Sequence, residues 1–203
     1  MLEWEKPELK EGYIFMPLNH WFSKGMTFTE YVNYMQVNRP ELEGVYKELE
    51  LNHEDVQYFS ELKNNNLRII TLTADWCGDA ALCVPILQRI AEIASIETRF
   101  LIRDENLELM DQYLTNGTSR SIPIFIFIDE KGEEKAVWGA RSPDVQQFVS
   151  DKRAELPSQD APDFPDKQKA MFASFKKAVT TEPKYWQSVV QDVRNRLETQ
   201  IGS

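Results

Sequence analysis

Cysteine and histidine are scarce in this sequence. Its 203 residues include two cysteines and two histidines. Two cysteines do not make a disulfide framework, so we expect a reducing compartment, the cytoplasm. The two histidines, His20 and His53, are isolated and lack the spacing of metal ligands. The sequence therefore predicts neither a metal site nor a bound cofactor.

Long apolar runs and an excess of positive charge are also missing. No apolar run approaches the ~18 residues that cross a bilayer, and residues 1–7 show no basic region followed by an apolar stretch. We therefore expect no membrane span and no secretory signal. Glycine-rich phosphate loops are absent. The net charge of −10 argues against nucleic acid or an anionic membrane as the main partner.

What the chain does contain is enough apolar sequence for one sizeable core, with 42% hydrophobic residues. We divide it into a helical N-terminal extension (1–66), an α/β core (67–156) and a linker with C-terminal helices (157–203), together forming a single structural domain. In the extension, Thr27 and Glu30 have the spacing of a capping box, and Asn52 is placed to cap another helix. The apolar stripes of the C-terminal helices either pack on the core or form a self-association surface.

The middle segment alternates between strand and helix patterns. An apolar run at 67–73 predicts a central strand, and the helix expected at 78–95 contains Pro85. A strand at 97–103, a helix at 105–115 and a strand at 121–128 follow. The last of these strands pairs in a hairpin with 134–138, and a helix at 143–154 ends the segment. This order predicts an α/β fold with a mixed sheet and helices on its faces.

One cysteine stands where the first strand ends and the next helix begins. The first N–H groups of a helix carry partial positive charge, which favours the thiolate of Cys77 and predicts a lowered pKa. Asp75 and Asp79 should oppose this effect by charge repulsion. We expect Arg103 and Arg120, which end segments near the same edge of the sheet, to offset the two acids.

Several landmarks occur together in this segment. They are Trp76-Cys77-Gly78-Asp79-Ala80, then Pro85, then Ile122-Pro123, and finally Gly139-Ala140. This arrangement resembles the thioredoxin superfamily, in particular a bacterial branch of it. The resemblance implies a central four-stranded mixed sheet with helices on both faces, and extra helices at both ends. It also implies a cis bond before Pro123 and a redox role for Cys77. The site would then be shaped by Trp76, Gly78, Asp79, Ala80, Ile122 and Pro123.

The sequence departs from the family pattern at two positions that matter for its chemistry. Ala80 stands where the resemblance implies a second, resolving cysteine, and Thr71 stands where it implies a buried acid. Cys83 lies six residues beyond Cys77, about 9 Å away along a helix, too far for a disulfide without local unwinding. We interpret Cys83 as a buried structural thiol, although a dithiol completed by Cys83 is a less favoured alternative.

Two functions follow from this pattern. The first is thiol–disulfide exchange through Cys77 alone, acting on protein disulfides or on disulfides of low-molecular-weight thiols. The second is a non-catalytic binding or regulatory module that keeps the fold, in which Cys77 merely fills space. The sequence predicts neither a particular substrate nor an oligomeric state.

Overall fold

The computed structural model describes residues 16–201, and its centre is one mixed four-stranded sheet. The strands are β1 (Arg68–Thr73), β2 (Glu97–Ile102), β3 (Ile124–Ile128) and β4 (Glu134–Gly139), in the spatial order β2-β1-β3-β4. Strand β1 runs parallel to β2 and antiparallel to β3, which pairs antiparallel with β4. The predicted fold class is confirmed.

Helices surround this sheet. In chain order they are α1 (Leu18–Lys24), α2 (Phe28–Tyr34), α3 (Arg39–Glu48), α4 (His53–Glu61), α5 (Gly78–Ile93), α6 (Leu107–Met110), α7 (Pro143–Ala154), α8 (Phe164–Thr181) and α9 (Pro183–Gln200). Helices α1 and α2 contact β2, whereas α9 contacts β4 and both C-terminal helices contact α5. The apolar stripes of α8 and α9 are buried in the core of the chain itself.

Local sequence signals explain the starts of two helices. Thr27 and Glu30 form the predicted capping box at the start of α2, and the Asn52 side chain accepts a hydrogen bond from the Asp55 N–H at the start of α4. Pro85 lies inside α5, as expected. The division of the chain into three segments at residues 66 and 156 stays a prediction, because packing between the helices and the sheet does not show where one segment ends and the next begins.

Two predicted elements differ from the structure. The helix expected at 105–115 is reduced to a 3₁₀ turn (Arg103–Glu105) and the one-turn helix α6. The Asn106 side chain donates a hydrogen bond to the Ile102 carbonyl, and turns occupy the chain beyond α6. Strand β3 begins at Ile124 rather than at 121, because Pro123 has no N–H to give to the ladder.

Among residues 16–201, no helix has the length and apolar character that a membrane span requires. The most deeply buried layer consists of β1, β3 and the sheet-facing side of α5, where leucine, isoleucine and phenylalanine side chains are almost fully excluded from solvent. This layer holds the carboxyl end of β1 in place, and Cys77 follows four residues after that end.

Candidate functional site

Cys77 connects a tight turn to the first turn of α5. The Cys77 N–H donates to the Ala74 carbonyl, and Cys77 is the N-cap residue of α5 with an extended backbone. Its Sγ donates to the carbonyl oxygen of Ile122 at 3.5 Å, and the Ile122–Pro123 peptide bond is cis. The sulfur therefore joins the helix start to the loop that precedes β3.

A cleft of about 760 Å³ opens beside this sulfur. Trp76 and Cys77 line one side of the cleft, and Ile122 lines the neighbouring loop. The end of β4, helix α7, the second half of α9 and the segment between α6 and β3 supply further walls. Cys77 is 8% exposed, whereas Trp76 on the rim is 51% exposed. The sulfur is thus nearly covered but borders open space.

A buried ion pair lies next to Cys77. Arg141 donates from Nε and Nη2 to the two carboxylate oxygens of Asp79, each at 2.7 Å, and from Nη1 to Gln146 Oε1 at 3.1 Å. The Asp79 side chain is 9% exposed and the Arg141 side chain is 20% exposed. Bidentate pairing of this kind compensates a carboxylate for lost hydration.

The pKa of the Cys77 thiol differs from the sequence expectation. Burial, and to a smaller extent the nearby charge of Asp79, raise the pKa of Cys77 to about 12. The N–H groups of Ala80 and Asp79 and the charge of Arg141 act in the opposite direction. The helix start therefore lowers the pKa as expected, but loss of hydration outweighs it. The expectation of a lowered thiol pKa was wrong for this reason.

Arg103 and Arg120, which we expected to offset the acids near Cys77, line the cleft but form ion pairs with other acids. Arg103 stacks on the Trp76 ring, with its guanidinium carbon 4.7 Å from the ring centroid, and forms an ion pair with Asp104. Arg120 binds Asp111 through two hydrogen bonds. The guanidinium that pairs with Asp79 is instead that of Arg141, which our sequence reasoning did not include. The signal was its place directly after the Gly139-Ala140 landmark.

Asp75 has a positioning role in the structure. Its carboxylate accepts hydrogen bonds from the N–H groups of Gln36 and Val37, at 2.7 and 3.1 Å. Its carbonyl accepts a bond from the Asn38 side chain. These contacts tie the connection between α2 and α3 to the turn that carries Trp76.

Comparison with known proteins then identifies the family. A thioredoxin family profile matches residues 25–156, about two thirds of the chain. The chain belongs to the thioredoxin family. A thiol–disulfide oxidoreductase-type function is thereby supported at the level of the family. The bacterial branch and the motif assignment stay predictions.

Individual relatives of this thioredoxin family member are distant. Thioredoxin H-type 1 of Nicotiana tabacum is 26% identical over 94 residues, which cover 46% of this chain and 72% of that protein. Two solved structures share the fold: a protein of unknown function from Pseudomonas aeruginosa (TM-score 0.64, 14% identity) and an HIV epitope-scaffold (TM-score 0.62, 12% identity). Each comparison covers 91% of this chain and 99% of the other.

The positions that depart from the thioredoxin pattern are buried. Ala80 is almost fully excluded from solvent, and the Thr71 hydroxyl has no hydrogen-bond partner in the described part of the chain. Cys83 is 0% exposed, and its Sγ donates to the Ala140 carbonyl at 3.7 Å. Gly78 opens α5 beside the Lys176 side chain of α8. Both cysteines are free thiols.

A metal centre has no support from the geometry. Within residues 16–201, no three side chains of histidine, cysteine, aspartate or glutamate are grouped so as to hold a metal ion. The site brings together one sulfur, the cis-proline loop beside it and an adjacent ion pair.

Proposed function

We propose that this protein catalyses thiol–disulfide exchange through Cys77 as its single nucleophile. The observation that carries the proposal is the position of the Cys77 sulfur. It lies at the start of α5, it contacts the carbonyl before the cis-proline, and it borders the cleft. A disulfide seated in the cleft against Ile122 would place one of its sulfurs beside Cys77.

The exchange balances with one external thiol, R″–SH, as the second reactant. The Cys77 thiolate attacks one sulfur of a disulfide R–S–S–R′, the new bond is Cys77–S–S–R, and R′–S⁻ leaves. The leaving thiolate takes up the proton that Cys77 released. The thiolate of the external thiol, R″–S⁻, then attacks the sulfur of Cys77–S–S–R that carries R, which forms R–S–S–R″ and releases the Cys77 thiolate. Substrates of this reaction are disulfides of proteins or of low-molecular-weight thiols.

The second thiol of the chain is poorly placed to resolve the intermediate. Cys83 lies inside α5, it is fully buried, and its sulfur is directed to the Ala140 carbonyl. Ala80, one turn after Cys77, offers no thiol. These features favour an external thiol as the resolving partner. Because such a thiol must stay reduced, they also favour a reducing compartment such as the cytoplasm.

One observation favours the second function, a non-catalytic binding module. A thiol whose pKa is raised to about 12 is almost entirely protonated at neutral pH, and the thiolate is the attacking form. In this alternative the cleft binds a partner and Cys77 contributes only packing. The two functions differ in whether exchange depends on Cys77.

The deciding experiment measures reduction of a mixed disulfide by an excess of small thiol, with and without protein. We expect turnover above the uncatalysed rate for the wild type and for Cys83→Ser, and none for Cys77→Ser. Turnover that survives in Cys77→Ser would refute the nucleophile assignment. Absence of turnover in the wild type, with a folded protein by circular dichroism, would leave the binding module as the function.

A further inference from the structure

The ion pair between Asp79 and Arg141 joins two distant parts of the chain beside the candidate nucleophile. Asp79 is in the first turn of α5, two residues after Cys77, and both residues line the cleft. Arg141 reaches this turn from the segment after β4, 62 positions beyond Asp79. Both carboxylate oxygens of Asp79 accept a hydrogen bond from this one guanidinium. The fold therefore brings an acid and its counter-charge together next to the sulfur.

An acid in this place opposes the chemistry proposed for Cys77. The Asp79 side chain is only 9% exposed, and like charges repel more strongly where little water surrounds them. After burial itself, the charge of Asp79 is the largest cause of the raised pKa of Cys77. An Asp79 carboxylate without a counter-charge would hold the sulfur in its protonated, unreactive form.

Arg141 supplies the counter-charge. Its side chain is 20% exposed, so solvent screens its attraction for Asp79 only in part. Burial raises the pKa of both Asp79 and Cys77, and the charge of Arg141 acts against that rise in each. Arg153 on α7 has a weaker effect of the same sign on Asp79. Arg141 is thus the cation that both binds the acid and acts on the thiol.

The charged and titratable groups on the neighbouring elements have other partners. The Asp75 carboxylate accepts bonds from two backbone N–H groups between α2 and α3. The ammonium of Lys176 on α8 forms an ion pair with Glu41, and the hydroxyl of Tyr31 on α2 is hydrogen-bonded to that of Thr73. Over the described residues, the cleft wall has four more charged residues: Arg103 paired with Asp104, Arg120 paired with Asp111, Asp192 bonded to Trp138, and Arg196.

From this arrangement we infer that Arg141 is a positioning residue for the exchange reaction, which offsets the charge of Asp79 so that Cys77 can ionise. The inference rests on the proposed function and concerns the regulation of that same nucleophile. An Arg141 with a purely structural role would compensate Asp79 for its lost hydration and leave the sulfur unaffected. The two roles differ in whether the fraction of Cys77 present as thiolate depends on Arg141.

Alkylation of Cys77 by iodoacetamide tests the inference, because only the thiolate reacts. The rate is read by peptide mass spectrometry near pH 10, where even a buried carboxyl without a partner is ionised. Arg141→Gln should slow the reaction roughly tenfold and displace the profile of rate against pH upward by about one pH unit. Arg141→Lys keeps the charge without the bidentate geometry and should slow the reaction less than about threefold.

Removing the acid shows whether Arg141 acts through it. In the Asp79→Asn background, Arg141→Gln should change the rate less than about threefold, because the charge that Arg141 offsets is gone. This background leaves no unpaired carboxylate in the interior, so the comparison also serves if Arg141→Gln alone does not fold by circular dichroism.

An arginine with the same geometry elsewhere in the cleft provides the matched control. Arg120 lines the cleft and binds both carboxylate oxygens of Asp111 through Nε and Nη2, as Arg141 binds those of Asp79. Arg120→Gln should change the alkylation rate of Cys77 less than about twofold. Equal rates for a folded Arg141→Gln and the wild type, or equal losses in the two arginine variants, would overturn the inference. So would a tenfold loss that persists in the Asp79→Asn background.

The assay separates failure of this inference from failure of the proposed function, because alkylation requires no disulfide. If turnover of a mixed disulfide depends on Cys77 while Arg141→Gln leaves the alkylation rate unchanged, the exchange function stands and the role of Arg141 is wrong. If the alkylation rates behave as expected while the wild type shows no turnover, Arg141 controls the ionisation of Cys77 and the exchange function is wrong.

Discussion

Cys77, at the start of α5, and Cys83, within it, have similar environments but differ in access. Both are buried free thiols, and each sulfur donates to a backbone carbonyl, Cys77 to Ile122 at 3.5 Å and Cys83 to Ala140 at 3.7 Å. Burial raises the pKa of both. Only Cys77 of the two borders the cleft. Access, rather than hydrogen bonding or ionisation, distinguishes the candidate nucleophile from the structural thiol.

This contrast also shows what a helix start contributes. The N–H groups of the first turn of α5 lower the pKa of Cys77, but the sulfur lies so close to the loop before β3 that loss of hydration has the larger effect. Cys83, six residues into the helix, has no such N–H groups near it, and its pKa is raised by burial and by the charge of Asp79. A helix start favours a thiolate only where water still reaches the sulfur.

The largest difference that we expect between the two cysteines is in alkylation of the folded protein. Cys77 should react with iodoacetamide roughly a hundredfold faster than Cys83, because the fully buried Cys83 reacts only when the structure opens. Peptide mass spectrometry after timed quenching measures both rates. Because burial raises the pKa of Cys77, its reaction midpoint should lie above that of a free thiol, about 8.5. Equal rates for the two cysteines would remove the contrast.

The next largest effect should come from a substitution at Gly139, the last residue of β4. This residue lies between the Ile122–Pro123 loop that Cys77 contacts and the Ala140 carbonyl that Cys83 contacts. Gly139 has a φ of +145°, and a Cβ there would overlap the carbonyl oxygen of Pro123. We expect Gly139→Ala to lower the free energy of unfolding by about 3 kcal/mol and to speed alkylation of Cys77 by displacing the loop. Urea denaturation measures the stability.

A second glycine provides the control for this change. Gly44 lies within α3 with no atom near its would-be Cβ, so Gly44→Ala should raise stability by about 0.5–1 kcal/mol. A neutral result for Gly139→Ala would mean that the loop and the end of β4 separate at little cost.

The sequence predicted the features that local patterns determine. The capping box at Thr27, the helix at 143–154 and the succession of strands and helices around Cys77 were predicted from residue patterns. The pairing of Asp79 with Arg141 was missed because the two residues are 62 positions apart and meet only where the segment after β4 contacts α5. The burial of Cys77 was missed because it depends on the fit of the Ile122 loop. The α9 wall of the cleft likewise depends on how a distant helix packs.

A smaller difference, in the alkylation rate of Cys77, should appear between variants of the two acids that flank this residue in the sequence. Asp79→Asn removes a charge that raises the pKa of Cys77, while its amide oxygen still accepts a bond from Arg141. We expect alkylation of Cys77 at pH 8 to become about three- to tenfold faster. The control Asp75→Asn should change the rate less than about twofold, since its carboxylate faces the N–H groups of Gln36 and Val37. A larger effect for Asp75→Asn would reverse our assignment.

The two cysteines should also differ in what their side chains contribute to stability. At pH 7, Cys83→Ala should cost about 1–2 kcal/mol because it leaves a cavity in the core, whereas Cys77→Ala at the cleft should cost less than about 1 kcal/mol. Both thiols have a higher pKa in the folded than in the unfolded chain, so the stability linked to them is complete below about pH 8 and is lost as pH rises above it. The deficit of each variant relative to the wild type should therefore shrink between pH 7 and pH 10 in urea denaturation. A deficit that grows with pH would mean that the folded chain favours the thiolate, which is the condition under which Cys77 would attack disulfides at neutral pH.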